Sequence, residues 1–114
     1  SISSSENKII KEFKPKQIGR VMDQNTAEAI KDMMAEVVES GTGTRAKVSK
    51  VAVAGKTGTA EVSGNQKSHA WFVGFAPADS PKVAIAILIE NGGGGGSAAA
   101  PIASKILKKA LSLK

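Results

Sequence analysis

An α+β fold, in which an antiparallel sheet is covered by an N-terminal and a C-terminal helix, follows from two observations on this 114-residue chain. Three β-rich apolar runs, at about residues 50–61, 68–76 and 82–90, are separated only by short turns carrying Gly64-Asn65 and Asp79-Ser80-Pro81. On either side of them the apolar spacing changes to a helical period, between Asp23 and Ser40 and again from Pro101 onward. The length allows one domain, residues 1–114, with a modest core.

The chain opens with Ser1-Ile2-Ser3-Ser4-Ser5, so residues 1–7 read as a linker or disordered end, and Ile9 to Phe13, before Pro15, read as a short additional strand. From Asp23 or Asn25 to Ser40, Ala27, Ile30, Met34 and Val37 recur at helical spacing, widened by Met33 and Val38. Asn25 with Glu28 three residues on suits the helix start, and Gly41 its end. Thr42-Gly43-Thr44 then reads as a turn that mimics a later Thr57-Gly58-Thr59 and is placed to approach the same rim.

The three sheet runs, joined by short links, are expected to pair antiparallel. In the third, Val83, Ile85, Ile87 and Ile89 alternate with Ala84, Ala86 and Leu88, which makes both faces apolar and predicts an interior strand covered on both sides. Asn91 and the glycines Gly92 to Gly96 read as a loop that no regular element can use. From Pro101, well placed in a first helical turn, Ile102, Ile106, Leu107, Ala110 and Leu111 are expected to face the sheet and Lys105, Lys108 and Lys109 solvent.

Composition excludes several functions. The net charge is +6, but the lysines are spread along the chain among few aromatics, so no nucleic-acid partner is expected. Cysteine is absent and His69 is the single histidine, so neither a disulfide framework nor a metal site is expected, and no cofactor is called for. No transmembrane-length apolar run or signal peptide is present, and the chain does not begin with Met, which reads as a trimmed piece.

Chemistry concentrates in Val51-Ala52-Val53-Ala54-Gly55-Lys56-Thr57-Gly58-Thr59-Ala60, a β-rich run that ends in a cation, two hydroxyls and a position without a side chain. A phosphate-binding G-x-x-x-x-G-K-[ST] loop fails here, because its first glycine would fall on Lys50 and strand formers fill the interior. A strand edge that grips an acidic, extended ligand fits instead. Alternation puts Thr57 and Thr59 on one side and Lys56 on the other, so two hydroxyls can hold one carboxylate beside an ammonium, while Gly58 keeps the rim bare. Trp71, Phe72 and His69 are further candidates. For the aromatics, core packing is the favoured reading, and His69 has no identified partner serine.

Lys56-Thr57-Gly58 resembles the K-T-G box of penicillin-recognising serine enzymes, and Lys56 to Ala60 match its extended form, KTGTA. Together with Gly41-Thr42-Gly43 and Ala54-Gly55 upstream, His69-Ala70-Trp71-Phe72-Val73-Gly74-Phe75-Ala76-Pro77 downstream, and Ala98-Ala99-Ala100-Pro101 before the last helix, it resembles the C-terminal part of the transpeptidase domain of a class B penicillin-binding protein, over residues 8 to 114. The resemblance implies a partial transpeptidase, β-lactamase-like fold and a peptidoglycan D,D-transpeptidase of the extracytoplasmic face, membrane-anchored upstream. It implies the D-Ala-D-Ala end of a stem peptide as substrate and β-lactams as mimics. Thr57 and Thr59 would bind the terminal carboxylate, the Thr59 backbone N–H would supply half of an oxyanion hole, typically worth ~3 kcal/mol per donor, and Lys56 would contact the serine of the second box.

That family's S-x-x-K and S-x-N boxes are expected upstream of KTG. Ser5-Glu6-Asn7-Lys8 lies in a strand-like context, and Ser63-Gly64-Asn65 comes after KTG in turn chemistry, so neither serves. The expectation is a fragment, inactive by itself, whose partner is the remainder of the domain and whose unpaired sheet edge invites dimerisation or swapping. The alternative is a non-catalytic module that binds cell-wall peptides.

Overall fold

A computed structural model describes residues 14–112 together with two short strands, β1 (Ile2–Ser3) and β2 (Ile9–Lys11), which pair antiparallel. β2 is the short strand expected near the N-terminus, whereas β1 falls inside the segment expected to be linker. The rest of residues 1–7, the Ser5-Glu6-Asn7-Lys8 decoy, and Glu12 and Phe13 lie outside the described residues.

Helix α1 spans Gln24–Ser40. Its N-cap is Asp23 and not Asn25: the Asp23 carboxylate accepts from the Thr26 N–H at 2.7 Å. Both residues fit the local signature, but only the extended backbone of Asp23 presents its oxygen to the unpaired N–H groups of the first turn. At the other end the N–H groups of Gly41 and Gly43 both donate to the Val37 carbonyl at 3.0 Å. Gly41 is not left-handed (φ −102°); it is required by close approach, since an added Cβ would lie 2.9 Å from the Val37 Cα.

A single 3-10 turn, Thr44–Ala46, follows, then a tight Val48–Val51 bridge with Lys50 at φ 66°. This turn delays the first long strand, so β3 runs Ala54–Ala60, β4 His69–Ala76 and β5 Val83–Ile89. They form an antiparallel sheet of order β3-β4-β5 in which Thr57 faces Phe72 and Phe72 faces Ile87, while Lys56 faces Val73 and Val73 faces Ala86.

After β5, Asn91 (φ 51°) and Gly93 (φ 97°) turn the chain. The glycine run is not wholly irregular. Gly95–Ala99 form a π-helical turn that leads directly into α2, Ala100–Ser112.

The core lies between α2 and one face of the sheet. Ala100, Ala103 and Leu107 of α2 cluster with Ala70, Phe72 and Ala76 of β4 and with Val38, Ala46 and Val53, while Val83, Ile85, Ile87 and Ile89 of β5 pack at its border. Two expectations are corrected by this arrangement. β5 is an edge strand among the described residues, and its Ala84, Ala86 and Leu88 face is exposed; α2 covers the isoleucine face instead. On α2, Ile102 and Ile106 point outward, because burial follows the Ala100-Ala103-Leu107 stripe.

The opposite sheet face carries Lys56, Gly58, Trp71, Val73 and Leu88 by register and is covered only near β3, where α1 packs. Lys31 fixes α1 there. Its Nζ contacts Glu28 at 2.8 Å, Asp79 of the β4–β5 turn at 3.2 Å and Asp32 at 3.6 Å. Glu28 first, and then Asp79, hold the Lys31 pKa above the ordinary lysine value. Among the described residues no helix is long and apolar enough to cross a membrane.

Candidate functional site

The residues singled out from sequence, Lys56, Thr57, Gly58 and Thr59, lie consecutively on β3, the other edge of the three-stranded sheet. Strand alternation separates them as expected. Thr57 shares the core-side face with Phe72, and Lys56 shares the opposite face with Val73.

Lys56 is exposed. Its side chain folds back along the strand so that Nζ donates to the Thr57 carbonyl at 2.7 Å. It borders a hollow of roughly 470 Å³ whose other walls are Ile30, Met33, Met34 and Val37 of α1 and Val73 of β4. It takes no part in the ion pairs of the described residues. An ammonium on an apolar wall is a strong attractor for an anion or a hydroxyl.

The two threonines are not equivalent. Thr57 is 9% exposed, and its Oγ1 lies 2.7 Å from Thr42 Oγ1. Thr59 is exposed, and its Oγ1 accepts from the Gly95 N–H at 3.3 Å. Each hydroxyl is thus anchored from behind by a loop distant in sequence. Gly58, between them, is half-buried, and a Cβ there would come within 3.3 Å of the Trp71 Cβ.

The other candidates separate cleanly. Phe72 is fully buried, its ring lying under Gly55, where an added Cβ would collide with the ring. Trp71 is 39% exposed on the Lys56 face, paired with Gly58. His69 Nδ1 accepts from the Asn91 N–H at 2.9 Å, and Asn91 Nδ2 donates to the Lys67 carbonyl at 2.8 Å, so Asn91 stitches the β5 exit to the start of β4 and to the connection before it. Ser63 and Asn65 are exposed in that connection. Among the described residues there is no cluster of His, Asp or Glu that could hold a metal ion.

Thr42 meets Thr57 at the rim that the Thr42-Gly43-Thr44 echo of the KTG box was expected to approach. Gly95 is the neighbour that reasoning from sequence did not assign to this site; its signal was the glycine run, but nothing local ties it to β3.

A strand of this composition, at a sheet edge with a C-terminal helix behind it, defines a class. The family model described as the penicillin binding protein transpeptidase domain matches residues 2–108, and the chain belongs to that family. Among its relatives, the peptidoglycan D,D-transpeptidase MrdA of Acinetobacter baumannii is 44% identical over 77 residues, covering 55% of this chain and 12% of that protein. The probable peptidoglycan D,D-transpeptidase PenA of Neisseria gonorrhoeae is 38% identical over 98 residues, 81% of this chain and 17% of that protein.

Solved structures agree. The D,D-transpeptidase domain of a peptidoglycan glycosyltransferase from Eggerthella lenta superposes with a TM-score of 0.79 at 36% identity, covering 97% of this chain and 26% of that one. The ceftriaxone acyl-enzyme complex of penicillin-binding protein A from M. tuberculosis gives 0.79 at 32% identity, with 96% and 26% covered. The fold is thus part of a transpeptidase fold, that of a class B penicillin-binding protein, and the chain spans a minor share of the length of the relatives it matches.

Proposed function

We propose that this chain forms the substrate-carboxylate-binding wall of a peptidoglycan D,D-transpeptidase that acts on the extracytoplasmic side of a bacterial membrane, to which its parent protein is anchored upstream. The observation that carries this reading is the KTG segment on an edge strand with Lys56 and Thr59 exposed. An extended stem peptide ending in D-Ala-D-Ala can lie along such an edge as an added strand. Its terminal carboxylate then meets the Thr59 and Thr57 hydroxyls, while Gly58 leaves the backbone accessible.

In this reading Lys56 sets a positive potential on the cleft side and donates to a serine hydroxyl of a second box, assisting proton movement during acylation. The Thr59 backbone N–H contributes half of an oxyanion hole. The attacking serine and its lysine belong to S-x-x-K on polypeptide outside this chain. The M. tuberculosis neighbours include ceftriaxone, imipenem and penicillin G acyl-enzyme complexes, which supports β-lactams as ligands here also.

Fluorescent penicillin tests the proposal. The full-length protein is expected to give a covalent band on a denaturing gel, with labelling slowed roughly tenfold or more by Lys56→Ala or Thr59→Val, and the isolated 114-residue chain is expected to give none. A band on the isolated chain would place the nucleophile inside it, and unchanged labelling of both variants would remove the KTG strand from the site.

A further inference from the structure

The five-glycine run has no role in the chemistry so far, yet the structure sets it against the site. Gly95 is buried, and an added Cβ would collide with the Trp71 carbonyl oxygen, lie 2.6 Å from the Gly58 carbonyl oxygen and lie 2.9 Å from the Gly58 nitrogen. Its φ is not in the left-handed region, so glycine is required here by proximity and not by backbone freedom. Gly96 is equally confined: a Cβ there would lie 2.6 Å from the Thr42 carbonyl oxygen. Gly95 and Gly96 therefore lie between β3 and the turn that carries Thr42, and the Gly95 amide reaches Thr59.

We propose that Gly95 is a positioning residue for ligand binding: its N–H occupies a lone pair of the Thr59 hydroxyl and so commits that hydroxyl to donate its proton toward the acid group of the ligand. The proposal rests on the KTG reading above and adds to it the reason why Thr59 acts as a donor.

A threonine hydroxyl has one proton and two lone pairs. A carboxylate can only accept, so a hydroxyl already donating elsewhere is lost to it. With the Gly95 N–H in place at 3.3 Å, the oxygen is satisfied as an acceptor from behind and its O–H is free on the exposed side of the strand. Donation into the oxygen also polarises its O–H, strengthening the next bond in the chain. Thr42 and Thr57 share one hydrogen between their oxygens at 2.7 Å, which leaves one proton of the pair for the ligand. An amide can do this at Gly95 only if nothing larger than hydrogen stands on its Cα, and that accounts for the glycine.

The test measures β-lactam acylation rates of the full-length protein, with a carboxylate-bearing penicillin and with its methyl ester. Gly95→Ala is expected to slow the carboxylate form roughly tenfold and the ester little, and to have no further effect once Thr59→Val is present. Gly94→Ala, whose Cβ meets only the Ser97 Oγ at 3.2 Å, is expected to leave both rates near wild type.

Equal slowing of both ligands, or full additivity with Thr59→Val, would overturn the assignment and leave the KTG reading standing. No effect of Thr59→Val itself would overturn both. Should Gly95→Ala fail to fold, amide hydrogen exchange decides the matter: the Gly95 N–H is expected to be protected in wild type and to exchange faster in Thr59→Val, and an unchanged rate overturns the assignment.

Discussion

Gly55 and Phe72 show how little tolerance single residues have on the core side of β3. The Phe72 ring fills the space that a Cβ at Gly55 would need, and Gly74 is pressed from the other flank, where a Cβ would lie 2.6 Å from the Ala54 carbonyl oxygen. Gly55→Ala is expected to cost about 1–3 kcal/mol by overpacking, and Phe72→Ala about 3–5 kcal/mol by leaving a cavity. Urea unfolding of the variants checks both, and a neutral Gly55→Ala would show that the ring can move aside.

Asp23 makes a prediction of a different kind. Its carboxylate accepts from Thr26, first through the backbone N–H, and this holds its pKa below the ordinary carboxylate value. A group with a lowered folded pKa stabilises above its unfolded value, near 4, and loses that contribution as pH falls through the folded value. Asp23→Asn should therefore keep the cap at pH 7 but flatten the acid limb of the stability curve. Thermal melts between pH 2.5 and 7 read this directly, and an unaltered limb would remove Asp23 from it.

At the scale of elements, α1 is tied at two points: its middle to the β4–β5 turn by Lys31 and Asp79, and the turn just past its end to β3 through Thr42 and Thr57. The raised Lys31 pKa means that this tether contributes below the ordinary lysine value and is lost as pH rises through the folded value. Lys31→Met is expected to lower stability at pH 7 and low salt, with the difference shrinking in 1 M salt; a salt-independent loss would point to packing of the lysine stem instead.

The elements also show what sequence could and could not say. The three strands and both helices were legible because period-2 and helical spacing are local. The cap was ambiguous, since Asp23 and Asn25 both satisfy the signature and only backbone geometry selects one. The place of β5 was misread because a run apolar on both faces says that it can be covered, not what covers it. The KTG residues were legible from composition and order. Of their supports, the Thr42 turn was legible through its echo of the box, but Gly95 was not, because it meets Thr59 only after the chain has closed a long loop.

Over the whole molecule, the sheet has two unpaired edges among the described residues, and the face bearing Trp71, Val73 and Leu88, 39%, 42% and 45% exposed, is only partly covered. Surfaces of this kind associate. The isolated chain is expected to elute as a dimer or larger species at micromolar concentration, and Leu88→Lys to shift it toward monomer; light scattering that shows a clean monomer for the unaltered chain would contradict this.

The division of β3 into a cationic side and a hydroxyl side makes the chain's length before the strand matter as much as its composition. Removing one amino acid between 48 and 53, and so sliding the ladder by one step, would thrust an ammonium among Ala70, Phe72 and Leu107 and turn both alcohols toward the methionines of α1. The same deletion at 63–66, in the exposed link to β4, leaves that orientation intact. Natural variation in residue number should therefore be tolerated after this strand and strongly selected against before it.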